Sequence, residues 1–217
     1  MKLLLTSAGF TNKAVINALH DLVEKPFDQL KLVFIPTAAN VETGGKEWLI
    51  DDLYRTKKLG FKKIDIVDIS ALSKNETISR LETADILFFG GGDTYYLDSW
   101  VKKCELDKYL NDWINTKIYV GLSAGSMLAC KWNSTILDTR FYDEKKYNVD
   151  VYKTLGFVDF YFMPHLNGDF KKVNLEEIEK LSKEIPDTIY ALDDQSAIKV
   201  DGDKVEVVSE GVWKKFN

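Results

Sequence analysis

The chain has 217 residues and a formal charge of -5, from 29 basic and 34 acidic side chains, with 45% hydrophobic and 29% charged residues. That length fits one large domain or at most two small ones, and this composition excludes intrinsic disorder. The longest apolar runs, 86–89 and 117–122, fall far short of the ~20 residues of a spanning helix, so no membrane partner is expected. The opening Met1 to Ser7 is too brief for a secretory leader and reads as a first strand, which places the protein in the cytoplasm. Acidic and basic residues are interspersed with no basic face, so nucleic acid is not an expected partner. Cys104 and Cys130 lack paired spacing, which argues against a disulfide framework and a zinc site and for reduced, buried thiols.

In chain order, β-rich apolar segments recur at 2–6, 31–35, 64–69, 86–89 and 118–121, each followed by helical spacing. The first such helix carries Val15, Ile16, Leu19, Leu22 and Val23 on one stripe, and the second carries Trp48, Leu49, Leu53 and Leu59. Both stripes are read as core. Strands this continuous in Val, Ile, Leu and Phe must be covered on both faces, which predicts an α/β three-layer sandwich around a mainly parallel sheet. Beyond Met163 a helix over 175–185 is predicted, followed by strands at 188–192, 196–200 and 204–208. The last two close as a hairpin across Asp201-Gly202-Asp203. With no repeat or linker, residues 1–217 read as a single domain.

Ligands of open α/β sheets bind at the carboxyl ends of the strands, and two loops there stand out. The fifth strand runs into Gly121-Leu122-Ser123-Ala124-Gly125 and then a helix, the nucleophile-elbow pattern in its strand–turn–helix context. The flanking glycines remove side chains where the chain doubles back, and the helix amino terminus turns free amides toward Ser123. The bland alternative is a serine that only caps the helix. A serine nucleophile needs a base, and the chain has two histidines. His20 lies beside the apolar stripe of the first helix, whereas His165 follows the apolar stretch 160–163 at the end of a further strand. His165 is therefore the expected base. Asp138 is best placed in sequence for the supporting carboxylate, with Asp143, Asp150, Asp159 and Asp169 as rivals.

The fourth strand ends in Gly90-Gly91-Gly92-Asp93-Thr94. This loop lacks the Lys-Ser/Thr ending of a phosphate loop, and Tyr95 stands where a dinucleotide motif needs glycine. It suits instead a backbone surface of Gly91 and Gly92 that, with the amide of Ala124, donates to an oxyanion, while Asp93 or Thr94 caps the next helix. Asp193-Asp194 could line the cleft or form an acidic turn. No ligand set for a catalytic metal has usable spacing, and no cofactor is expected.

Taken together, Gly90 to Thr94, Gly121 to Gly125 with Leu128-Ala129-Cys130, Asp138 fifteen residues past the serine, and Pro164-His165 resemble the aspartyl dipeptidase and cyanophycinase group of serine peptidases, family S51. The likeness runs from Met1 to about Val200. It implies a fold akin to class I glutamine amidotransferases, cytoplasmic hydrolysis of small peptides, Ser123 as nucleophile, His165 as base and Asp138 as acid. The chain departs from the group's pattern in two places. Where a glutamate of the first helix has also been considered as the acid, this helix has Asn17, with Asp21 and Glu24 further on. Where a cation is required for an aspartate side chain, the segment after His165 supplies Lys171 and Lys172 but no arginine. An esterase and a silent binding protein are the competing functions, and pairing into a homodimer is left open.

Overall fold

Successive residues of the early strands enter opposite apolar layers, as the two-sided burial of a parallel sheet requires. A computed structural model describes residues 1–131, 138–142 and 154–217, the side chains of Asp138 and Thr139 excepted. In β1 (Lys2–Thr6) Leu3 and Leu5 face one layer and Leu4 the other. In β2 (Lys31–Ile35) Val33 and Ile35 oppose Leu32 and Phe34, and in β4 (Ile86–Phe89) Leu87 and Phe89 oppose Ile86 and Phe88.

With β3 (Lys63–Ile66), β5 (Ile118–Leu122), β8 (Ser196–Asp201) and β9 (Lys204–Ser209), these form a seven-stranded sheet in the order β3-β2-β4-β5-β1-β8-β9. The first five strands are mutually parallel, and β8 and β9 extend the sheet antiparallel as the expected hairpin. One layer is α1 (Lys13–Leu22) and α2 (Glu47–Lys58). The other holds α3 (Lys74–Glu82), α4 (Thr94–Lys103), α5 (Leu106–Trp113) and α6 (Ala124–Ala129). Against this second layer packs a three-stranded sheet of β6 (Tyr161–Met163), β7 (Ile189–Leu192) and β10 (Trp213–Phe216), with α7 (Leu175–Ser182). The α/β expectation is met, and no described helix is long and apolar enough to cross a membrane.

Three local readings change. β3 ends at Ile66, although Val67 and Ile69 beyond it are fully buried. β10 carries no apolar alternation because only Phe216 of its four residues is buried, so its sequence gives no strand signal. On α2, Leu49 and Leu53 pack on the sheet, but Trp48 turns to a cleft at the strands' carboxyl ends. The interior positions of that helix go to Asp52 and Thr56.

Candidate active site

β5 lies between β4 and β1, so the loops that follow these three strands converge over its carboxyl end. There the chain turns from strand to helix within one residue: Ser123 has φ 48° and ψ -108°, and α6 begins at Ala124. A positive φ is costly for a side chain and persists only where the surroundings impose it. Here the Ser123 amide donates to the Thr6 carbonyl (3.0 Å), the Ser126 hydroxyl donates to the same carbonyl (2.8 Å), and the Tyr119 hydroxyl donates to the Gly125 carbonyl (2.6 Å).

The flanking glycines have steric reasons. A Cβ on Gly125 would lie 2.1 Å from the Phe89 carbonyl oxygen, and one on Gly121 would lie 2.6 Å from Ser126 Cα. Both contacts are with backbone, which cannot rotate away. Gly125→Ala is therefore expected to lower stability by about 1–3 kcal/mol, as overpacking does, read as a lower urea midpoint at unchanged slope.

Ser123 Oγ is 2.8 Å from His165 Nε2, and His165 Nδ1 is 2.7 Å from Asp194 Oδ1. The pairing of β6 with β7 explains the second contact. These strands run parallel with Met163 opposite Ala191, so the residues two past each strand end, His165 and Asp194, emerge side by side. The Leu166 amide donates to the Leu192 carbonyl (2.9 Å) and continues that alignment, while a left-handed φ of 63° at His165 turns the chain back. Burial pushes the Asp194 carboxyl up, but the hydrogen bond and charge of His165, with the Ser7 hydroxyl, outweigh it and hold the group below its ordinary value. An ionised Asp194 accepts a hydrogen bond from Nδ1–H, which keeps the proton on Nδ1 and leaves Nε2 as the acceptor facing Ser123.

The loop after β1 fixes both partners. Ser7 Oγ accepts from the His165 amide (2.8 Å) and donates to Asp194 Oδ1 (3.0 Å). Thr11 Oγ1 donates to the Asp194 carbonyl (2.8 Å), and Asn12, which caps α1, donates to the Gln195 carbonyl (2.8 Å). Asp193 forms the turn itself: its carboxylate accepts from the Gln195 amide (3.1 Å) and the Ser196 hydroxyl (2.6 Å). Of the expected acidic pair, one residue shapes the turn and the other reaches the imidazole.

Asp194 thus occupies the place at Nδ1 for which the sequence pointed to Asp138. Asp138 opens a single π-helical turn, Asp138–Tyr142, and its side chain lies outside the described residues, as do Asp143 and Asp150 entirely. Asp159 is ion-paired with Lys131 at 3.2 Å, and Asp169 lines the cleft. His20 stacks on Phe27, ring centroids 4.0 Å apart. Ser7 and Thr11 carry no motif in the sequence and are found as site residues only through the contacts of their loop.

The glycine loop after β4 lies beside the serine. A Cβ on Gly91 would come 3.5 Å from Ser123 Cβ, and Gly92 has φ 127° at a place where any Cβ would collide with the Ala38 backbone. Asp93 caps α4, accepting from the Tyr96 amide at 2.8 Å. Within the described residues the amides of Gly91, Gly92 and Ala124 donate to no protein acceptor.

These groups open on a cleft of about 500 Å³ that also includes Trp48, Asp52, Arg55 and Phe170. Asp52 is almost enclosed, with 7% of its side chain exposed, and Arg55 Nη2 donates to its Oδ1 at 3.1 Å. Burial raises the Asp52 carboxyl to about 6 against the pull of Arg55. The folded protein therefore holds a proton that the unfolded chain releases near 3.8, and stability falls as pH rises through this window. Asp52→Asn removes the dependence: between about pH 3.5 and about pH 7 it should gain up to ~3 kcal/mol relative to the unaltered protein. Paired urea titrations at the two pH values measure that change.

A Ser–His–Asp hydrogen-bonded chain at the strand ends of a parallel-sheet α/β protein is an arrangement that can support hydrolysis. More narrowly, the chain belongs to peptidase family S51, whose family model matches residues 3–208, and it is a hydrolase acting as a peptidase. It is 29% identical over 182 residues to the uncharacterized peptidase Lmo0363 of Listeria monocytogenes, covering 80% of this chain and 83% of that one. To the uncharacterized peptidase PM1590 of Pasteurella multocida it is 26% identical, covering 79% and 82%. The crystal structure of a "Putative Peptidase E Protein" from Listeria monocytogenes EGD-e superposes with a TM-score of 0.80 at 28% identity, over 97% of this chain and 98% of that one. A peptidase from an acI-B1 Actinobacterium shares the fold, with a TM-score of 0.63 at 18% identity.

Proposed function

We propose that the protein is a serine-type dipeptidase that cleaves small peptides through an acyl-enzyme on Ser123. The observation that carries this reading is the continuous contact from Ser123 Oγ through His165 to Asp194, at 2.8 and 2.7 Å. Ser123 Oγ adds to the scissile carbonyl carbon as its proton passes to His165 Nε2. Asp194 accepts the hydrogen bond from Nδ1–H and stabilises the imidazolium. The oxyanion accepts from the Ala124 amide and from that of Gly91 or Gly92, each such donor supplying ~3 kcal/mol.

The C–N bond then breaks, His165 protonates the departing amine, and the acyl group stays on Ser123. Water, deprotonated by His165, attacks the ester and restores the serine. A cleft of about 500 Å³ favours dipeptides and chain ends over folded substrates. The buried free thiols of Cys104 and Cys130 suit a reducing cytoplasm. A silent binding protein needs no imidazole at its serine, and the 2.8 Å contact speaks against that alternative.

A dipeptide library followed by mass spectrometry tests the reading. Consumption of dipeptides while folded proteins stay intact is the expected result; an untouched library, or cleavage confined to simple esters, contradicts it.

A further inference from the structure

We propose that Arg55 binds the free C-terminal carboxylate of a short peptide in the Ser123 cleft, on the side where the amino-acid leaving group departs. The inference rests on the serine-peptidase reading and adds to it what the enzyme recognises. Trp48, Asp52 and Arg55, spaced i, i+4 and i+7, present one face of α2 to the same cleft as Ser123 and His165. Among the described residues lining that cleft, Arg55 is the one permanent cation.

Its guanidinium is only partly used. Asp52 engages Nη2 alone, at 3.1 Å, and Nε is enclosed with no hydrogen-bond partner. An enclosed N–H without an acceptor is rare in a folded protein. The Arg55 side chain is nonetheless 37% exposed, and the planar fork of arginine fits a carboxylate with two parallel donors, so a carboxylate that meets the exposed part can share the guanidinium with Asp52.

The location selects which carboxylate this is. Asp52 Oδ1 would lie 3.4 Å from a Cβ on Gly9, in the loop that also carries Ser7, whose hydroxyl accepts from the His165 amide. His165 passes its proton to the departing amine, so the departing amino acid lies on this flank, and in a dipeptide that residue also bears the C-terminal carboxylate. Glu42 and Asp169 further line the cleft and repel a second carboxylate on the substrate side chains.

The test compares neutral dipeptides with their C-terminal amides, and adds amides carrying aspartate at the acyl position. For the unaltered protein, amidation should raise KM by about 10- to 100-fold, the scale of a hydrogen bond to a charged group. Arg55→Gln should abolish the preference, bringing the ratio of amide KM to acid KM down to about one, and Arg55→Lys should recover part of it. Because Arg55→Gln strands a buried carboxylate, the double change Asp52→Asn with Arg55→Gln is measured beside it and should show the same KM pattern. Equal KM for acids and amides overturns the assignment of Arg55 but leaves the peptidase reading intact, as does an Arg55 effect confined to aspartate-bearing amides. If the unaltered protein hydrolyses neither series, the peptidase reading fails and this inference falls with it.

Discussion

Replacing Ser123 with alanine is expected to lower kcat for a dipeptide by about 10⁶-fold, the scale at which serine hydrolases lose a nucleophile. That corresponds to ~8 kcal/mol of barrier. The size follows from what is lost: without Oγ there is no acyl-enzyme, and His165 has no hydroxyl to deprotonate at 2.8 Å. Binding should survive, because the cleft walls and the free amides of Gly91, Gly92 and Ala124 are unaltered. Steady-state kinetics on the variant, with dipeptide affinity measured by calorimetry, separates the two. A large loss in kcat with Kd held within a few-fold is the expected outcome. Retention of more than about a hundredth of the activity would show that another group performs the attack.

The second large effect concerns the acid. Asp194→Asn should lower kcat by about 10⁴-fold, because an amide can donate to Nδ1 and so leave the imidazole in the wrong tautomer, with its proton on Nε2. The carboxylate that prevents this is held ionised by His165 and Ser7 against its own burial. Asp138→Asn should leave kcat within a few-fold. The pair of variants, measured on one dipeptide, decides between the carboxylate found at Nδ1 and the one that the order Ser, Asp, His suggested. Ser7→Ala should fall between them, since it removes the acceptor for the His165 amide and one donor to Asp194 without touching either contact of the imidazole.

Sequence and site were legible to different depths for physical reasons. The sheet was readable because two-sided burial writes Val, Ile, Leu and Phe continuously into β1, β2, β4 and β5. The turn at Ser123 was readable because Gly121 and Gly125 answer to backbone contacts that no side chain permits. The supporting acid was not. Asp194 sits in a stretch that also makes a tight turn, and its role comes from the pairing of β6 with β7, a contact between segments some thirty residues apart. A usable signal did exist, since His165 and Asp194 each stand two residues past the end of an apolar strand. Nor did the apolar stripe of α2 reveal that Trp48, Asp52 and Arg55 form a second, cleft-facing side, because periodicity marks what meets the sheet and not what meets a ligand.

Labelling the intact protein with a fluorophosphonate and mapping the modified residue by peptide mass spectrometry tests most directly whether Ser123 is the nucleophile. One adduct per chain is expected, on Ser123, abolished in Ser123→Ala and strongly slowed in His165→Gln. An intact protein that takes no label, or takes the same amount when Ser123 is alanine, would contradict that role.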